Sequence, residues 1–314
     1  MAATILDQPA WQALEAAHAD RVDDLTAGHR SRRQVGTPHP VEDFLFTYYP
    51  FKPSQLRRWH PGPDVVLAGA AALDRGSWRF YTHDGHGGSR LDTTAYLAAR
   101  GSTVDFVRRL VSATRERPAQ LGCFGLHEWA MVYRQSPDDV RHAAWPLRLG
   151  ADGTDQVVDG LQIRCTHFDA FRFYTPPARP LNLLQPTRAD QVAVEQPGCL
   201  HAGMDLYKWC MKLAPAVPSS LVLDCFTLAR EIRELDMRAS PYDLSALGHD
   251  PVAIETPQGR AEYAAAQRDF AARGQGLRER LLQALDAVTG DYSTESVERA
   301  SVLPEPVSSS ARMR

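Results

Sequence analysis

Apolar positions recur at helical spacing over residues 8–35, an alanine-rich stretch ending in the basic run HRSRRQ, and predict a peripheral N-terminal helix that sets residues 1–36 apart. A dense aromatic stretch, HPVEDFLFTYYPF (39–51), follows, closed by Pro50, Pro53 and the turn WHPGPD (59–64). Short strands are predicted in DVVLAGA (64–70) and SWRFYTH (77–83), with the glycine-rich loop HDGHGG (83–88) separating them from a helix near 93–116. From GCFGLHEWAMVYR (122–134) the texture becomes that of buried chain. A surface loop at 135–143, a short helix near 154–161, a strand IRCTHFDAFRFYT (163–175) and a proline-rich connection at 176–197 come next. Helices near 199–213, 219–238 and 257–288 complete the pattern, and the Ser/Pro/Glu-rich tail 290–314 is predicted to be disordered. The expected fold is α+β, with a small mixed sheet in the first half, a mainly helical second half, and one catalytic domain over 37–289.

The helix at 199–213 is unusual on a helical wheel. At about 100° per residue, Cys199, Ala202, Gly203, Leu206, Trp209, Cys210 and Leu213 cover one face, and Leu200, Met204, Tyr207 and Met211 make much of the other side apolar. His201, Asp205, Lys208 and Lys212 alone are polar, on one narrow stripe. A helix apolar nearly all round is normally buried. Its stripe then faces either a thin strip of solvent, with Asp205 and Lys208 as an ordinary i,i+3 pair, or a polar cavity. Composition favours the cavity. The chain has three lysines among its 35 basic side chains, and two of the three stand on this stripe, one turn apart, where a compact ammonium is wanted rather than a guanidinium fork.

The next helix has Ser219 or Ser220 as N-cap and buries Leu221, Cys225, Leu228, Ala229, Ile232 and Leu235. Asp236 falls at the centre of that apolar face, where a carboxylate must be paired, hydrogen-bonded or shifted in pKa. Arg238 and the turn SPYD, with Tyr242 and Asp243, are the nearest candidate partners. Asp236 either ties down the helix end or serves as a functional acid or base. In the buried run at 122–134, His127, Glu128 and Arg134 stand out, with His127 and Arg134 on one helical face; His127 is a core histidine or a catalyst. Strand alternation over 163–175 projects His167 and Asp169 together and puts Arg172 on the opposite side.

These residues bound the chemistry. No H-E-x-x-H is present, because position 131 is Met, and no C-x-x-C pair or phosphate-cradling glycine motif occurs. The expectation is therefore no cofactor, the one open metal set being His167 and Asp169 with Cys199 and His201. Five cysteines in apolar contexts fit buried reduced thiols. No apolar run reaches the ~20 residues of a membrane span, and the N-terminus has no signal-like segment, so a cytoplasmic location without a membrane partner is expected. A net charge of −3 means that nucleic-acid contact would need a local arginine-rich face.

Six segments, HPVEDFLFTYY, GCFGLHEWAMVYR, RCTHFDAFRFYTPPARPLN, QPGCLHAGMDLYKWCMKL, RELDMRASPYDL and IETPQGRAEYAAAQ, resemble the family of high-GC bacterial proteins known as 3-methyladenine DNA glycosylases, over about residues 39–285. The resemblance implies a hydrolase of base-excision repair that acts on alkylated purines, with DNA as its partner. Such an enzyme extrudes the nucleotide, stacks the base between aromatic rings and places a carboxylate against the developing oxocarbenium ion. On that reading Trp129, Tyr207, Trp209 and Phe171 stack, Asp236 or Asp205 is the carboxylate, and Lys208 or Lys212 holds a phosphate or acts as an amine nucleophile. The residues by themselves leave two alternatives. One is a small-molecule enzyme, metal-assisted or not, with a closed pocket of His127, His167, Asp169, Asp205, Lys208, Asp236 and Arg238, where Arg172 and Tyr242 also bind substrate. The other is a binding module whose charges are structural ion pairs.

Overall fold

A computed structural model describes residues 3–135 and 145–300, with side chains through 290. Strand β1 (Thr4–Leu6) leads into helix α1 (Gln8–Val35), started by Asp7, which accepts a hydrogen bond from the Ala10 amide at 2.8 Å, and stopped by Gly36 at φ 73°. Trp11, His18, Ala19, Val22 and Thr26 form its buried stripe. The aromatic stretch folds into α2 (Phe44–Tyr48), and α3 (Pro53–Leu56) follows. β2 (Val65–Leu67), β3 (Tyr81–His83) and β4 (Ser89–Leu91) complete a mixed sheet of order β1-β2-β4-β3, with β1 parallel to β2 and the other pairs antiparallel. α1 is fastened to the sheet layer by Arg75, buried at 3% exposure, which pairs with Glu15 and lies 4.0 Å from the Trp78 ring.

After the sheet the chain is helical: α4 (Thr93–Glu116), α5 (Leu126–Ala130), α6 (Gly150–Gly160), α7 (Phe168–Phe171), α8 (Gln191–Val194), α9 (Leu200–Leu213), α10 (Ser219–Arg238) and α11 (Pro257–Ala300). The α+β expectation, helical in the second half, is what the structure has. α4, α9, α10 and α11 pack on one another around the main core. α9 and α10 lie against each other most closely of all. Gly203 permits this, since a Cβ there would stand 2.7 Å from the Ile232 side chain. No helix among the described residues is long and apolar enough to cross a membrane.

Three expectations change. Residues 163–175 form no strand. The segment makes one bridge, Ile163 to Asn182, and then turns helical. Asn182 takes up the backbone of Cys165 on both sides, at 2.8 and 2.9 Å, and Phe168, Phe171 and Tyr174 recur every third residue, a helical spacing hidden inside the apparent alternation. His127 and Arg134 do not share a face, because α5 ends at Ala130 and Arg134 sits exposed at φ 52°. α11 continues past 290 to Ala300. The remainder of the expected tail, and the loop at 135–143 beyond Gln135, lie outside the described residues.

Candidate functional site

The polar stripe of α9 points inward. His201 and Asp205 are buried, Lys208 is half-buried, and only Lys212, a turn further on, is exposed. Opposite the stripe stand His127 and Glu128 of α5, Asp236 and Arg233 of α10, and His167 and Asp169 at the start of α7. A left-handed turn at Phe124 (φ 47°) and Gly125 (φ 69°) aims α5 at this interior. Three imidazoles form a row. His127 meets His201 edge-on with ring centres 4.5 Å apart, and His201 stacks on His167 at 5.3 Å.

At one end of the row is a first centre of His127, His201 and Asp236, whose ligand atoms all lie within 4.8 Å of one another. His127 Nε2 and Asp236 Oδ1 are 2.8 Å apart, an imidazole–carboxylate pair enclosed in the dry interior. The other oxygen of Asp236 accepts from Arg233 Nη1 at 3.1 Å, and the same nitrogen donates to Glu128 at 2.9 Å. One guanidinium thus serves two buried carboxylates. Burial favours the neutral acid at Asp236, but the facing His127 outweighs it and holds the carboxyl well below its usual range. Burial likewise opposes charge on His127, and Asp236 overcomes it, raising the ring well above an ordinary imidazole. His201 moves the other way, kept neutral by burial and by His127 beside it, and no hydrogen bond engages its ring among the described residues.

At the other end is a second centre of His167, Asp169 and Asp205, again with ligand atoms within 4.8 Å. Here a cation is built in. Lys208 donates to Asp205 Oδ2 and stands 3.8 Å from Asp169. Tyr49, from the aromatic segment, donates to the other oxygen of Asp205 at 2.7 Å. Burial pushes the Asp205 carboxyl up, and Lys208, His167 and the Tyr49 hydrogen bond more than reverse it.

A cavity of about 210 Å³ opens onto this row, with His201, Glu128, Asp169, Arg233 and Thr47 among its polar groups and Phe44, Tyr48 and Phe173 among its walls. Larger hollows exist elsewhere, one of about 610 Å³ between the sheet and α11 and one of about 530 Å³ beside the end of α1. Neither holds one of the two centres, so size is a poorer guide here than the convergence of ligand atoms.

Of the residues singled out from sequence, His127, His167, Asp169, Asp205, Lys208 and Asp236 come together. The aromatic candidates do not. Trp129 is core, its indole donating to the Ala239 carbonyl at 2.8 Å; Tyr207 is enclosed by Tyr49, Phe51 and Phe226; Trp209 lies against Phe106. Phe171 packs on Tyr174, and Tyr242 belongs to a separate apolar cluster with Met237 and Leu244. Arg238 turns away to the Asp250 carbonyl and Glu262, so Arg233 and His127 are the partners of Asp236. Arg172 is an exposed partner of Asp169 at 3.4 Å. Cys199 takes no part in either centre.

Glu128, Arg233 and Tyr49 were not foreseen as site residues. Glu128 follows His127 in the buried run, and Arg233 precedes Asp236 by three, so both carried a local signal. Tyr49, far off in sequence, carried none. In comparison with protein-family models, curated proteins and solved structures, the chain matches none.

Proposed function

We propose that the chain is a metal-assisted hydrolytic enzyme for a small polar substrate, with His127 Nε2, His201 and Asp236 Oδ1 holding a divalent cation behind the 210 Å³ cavity, which His201 lines. The observation that carries this reading is the convergence of two imidazoles and one carboxylate in a closed interior, their ligand atoms all within 4.8 Å of one another and His127 Nε2 standing 2.8 Å from Asp236 Oδ1. Ligand atoms about 2.1 Å from one ion stand about 3 Å from each other and aim at the ion instead of at each other. Two imidazoles and one carboxylate form a set suited to zinc, iron or manganese, with positions left open for substrate and water. A divalent cation there would polarise a carbonyl or phosphoryl oxygen and acidify a water.

The chain's own groups have distinct tasks. Arg233 fixes the Asp236 carboxylate through its second oxygen, and Cys123 Sγ lies 3.9 Å from His127 Nδ1, behind the ligating nitrogen. His201, held neutral by burial and with no hydrogen bond to its ring among the described residues, can ligate without losing a partner. Glu128 and Asp169 border the cavity and are placed to take or return a proton. The rings of Phe44, Tyr48 and Phe173 exclude water from a substrate seated there. A cytoplasmic location belongs to this reading and is supported by five free thiols.

The test is elemental analysis of the full chain purified without chelator, followed by titration of the stripped protein with Mn²⁺ or Zn²⁺. About one equivalent should be retained by the wild type and none by His201→Ala. A wild-type chain that binds neither ion ends the proposal.

A second reading, excision of an alkylated purine from DNA, is supported by the aromatic walls of the same cavity beside Asp169, with exposed Arg172 and Arg188 pairing to that carboxylate from outside. It requires binding to duplex DNA that weakens steeply with salt. Duplex binding that is absent at low salt removes it.

A further inference from the structure

The second centre repeats the chemistry of the first and differs in what neutralises it. His167 sits between two carboxylates, with Nε2 3.5 Å from Asp205 and Nδ1 3.6 Å from Glu195, both beyond ordinary hydrogen-bond length, and Nδ1 has no hydrogen-bond partner. A carboxylate behind a ligating imidazole is how proteins orient histidines toward a metal. Asp169 and Asp205 complete a set of one nitrogen and two oxygen ligands, chemistry that suits manganese, iron or zinc. Into the space between these groups α9 delivers an ammonium. The Lys208 stem crosses the Trp209 ring, with Nζ 4.4 Å from its centre, and the head meets Asp205 and Asp169.

We infer that His167, Asp169 and Asp205 form a second divalent-cation site whose place is held by the tethered ammonium of Lys208. The chain thereby binds one metal ion where its ligands would accept two. Lysine at this position, in a chain that otherwise uses arginine for 32 of its 35 basic side chains, follows from the geometry: a compact head with three donors sits where an ion would, and a planar fork does not. Unlike a bound ion, the ammonium cannot be lost to a chelator.

The experiment uses the full chain, stripped of metal, then equilibrated with Mn²⁺, which prefers carboxylate and imidazole to the free thiols. Bound ions are counted after desalting, for wild type, Lys208→Ala, Lys208→Met and Lys208→Arg. Both neutral variants should hold one equivalent more than wild type, and Lys208→Arg the same as wild type. Equal counts in wild type and the folded neutral variants overturn the inference, as does a gained ion in Lys208→Arg. If loss of the ammonium lowers Tm in metal-free buffer, Mn²⁺ should restore it, and failure to do so also overturns the inference. The difference in count is independent of the first centre. Should wild type bind nothing while Lys208→Ala binds one ion, this inference stands and the proposed function falls.

Discussion

At one end of the histidine row Asp236 faces an imidazole and shares a guanidinium with Glu128; at the other, Asp205 faces an imidazole, a phenol and an ammonium. Both carboxylates are buried, and both are held below their usual pKa. The contrast lies in what faces them. Lys208 is tethered to the chain, and its ammonium already meets both Asp205 and Asp169. Under the proposed function a metal ion replaces the His127 proton. On that reading one difference of cation type separates a centre that takes up an ion from one that the chain fills itself.

The largest expected effect comes from breaking the first end. Asp236→Asn leaves His127 without its anion and Arg233 with Glu128 alone in a dry interior, which should cost about 3–5 kcal/mol of stability and abolish metal uptake. Urea unfolding that shows less than 1 kcal/mol would mean that the pairing is not what holds this end. Next is Tyr49→Phe, which removes a hydrogen bond to a buried charge at the second end and should cost about 1.5–3 kcal/mol while metal uptake at the first centre is unchanged. Lost uptake in that variant would join the two ends into one unit.

The pH dependence sharpens the comparison at a smaller scale. In the metal-free chain, the raised pKa of His127 contributes stability that is complete below about 6.5 and disappears as pH rises through the raised value. The depressed Asp236 contributes above the usual carboxylate range, and its share is lost only as pH falls through its lowered pKa. Metal uptake runs the other way, since the ion must displace the His127 proton. Apparent Mn²⁺ affinity should fall about tenfold per pH unit below that raised value. An affinity that does not change between about pH 8 and about pH 5 would exclude His127 as a ligand. The smallest effect belongs to Lys212→Ala, one turn from Lys208 but exposed, which should stay within about 0.5 kcal/mol of wild type and leave the ion count untouched; a larger change would mean that both lysines act together.

Much of this was legible from residue order because helices declare themselves through local spacing. The apolar faces of α4, α9 and α10 follow from positions three and four apart, and so did the isolation of His201, Asp205 and Lys208 on one stripe and of Asp236 inside an apolar face. The aromatic residues misled for a related reason. Trp129, Tyr207 and Trp209 have polar handles that suit a binding surface, but the Trp129 indole donates to the Ala239 carbonyl inside the core, and Tyr207 and Trp209 are buried for their ring area although their polar atoms find no hydrogen-bond partner among the described residues. The apparent strand at 163–175 failed because alternation needs a partner strand to become a sheet, and the segment has only one bridge, to Asn182.

By itself the sequence determined that α9 would be apolar nearly all round with its polar groups on one stripe, and that Asp236 would fall inside an apolar face, since both depend on how neighbours along one helix are spaced. Tertiary structure alone decided that the partner of Asp236 is His127 with Arg233 instead of Arg238, that Tyr49 reaches Asp205, and that Lys208 meets the carboxylates of Asp205 and Asp169. The physical reason is range. Periodicity is written over a few residues, whereas neutralising a buried charge is a pairwise matter between whichever side chains the packing of α5, α7, α9 and α10 brings within a few ångströms.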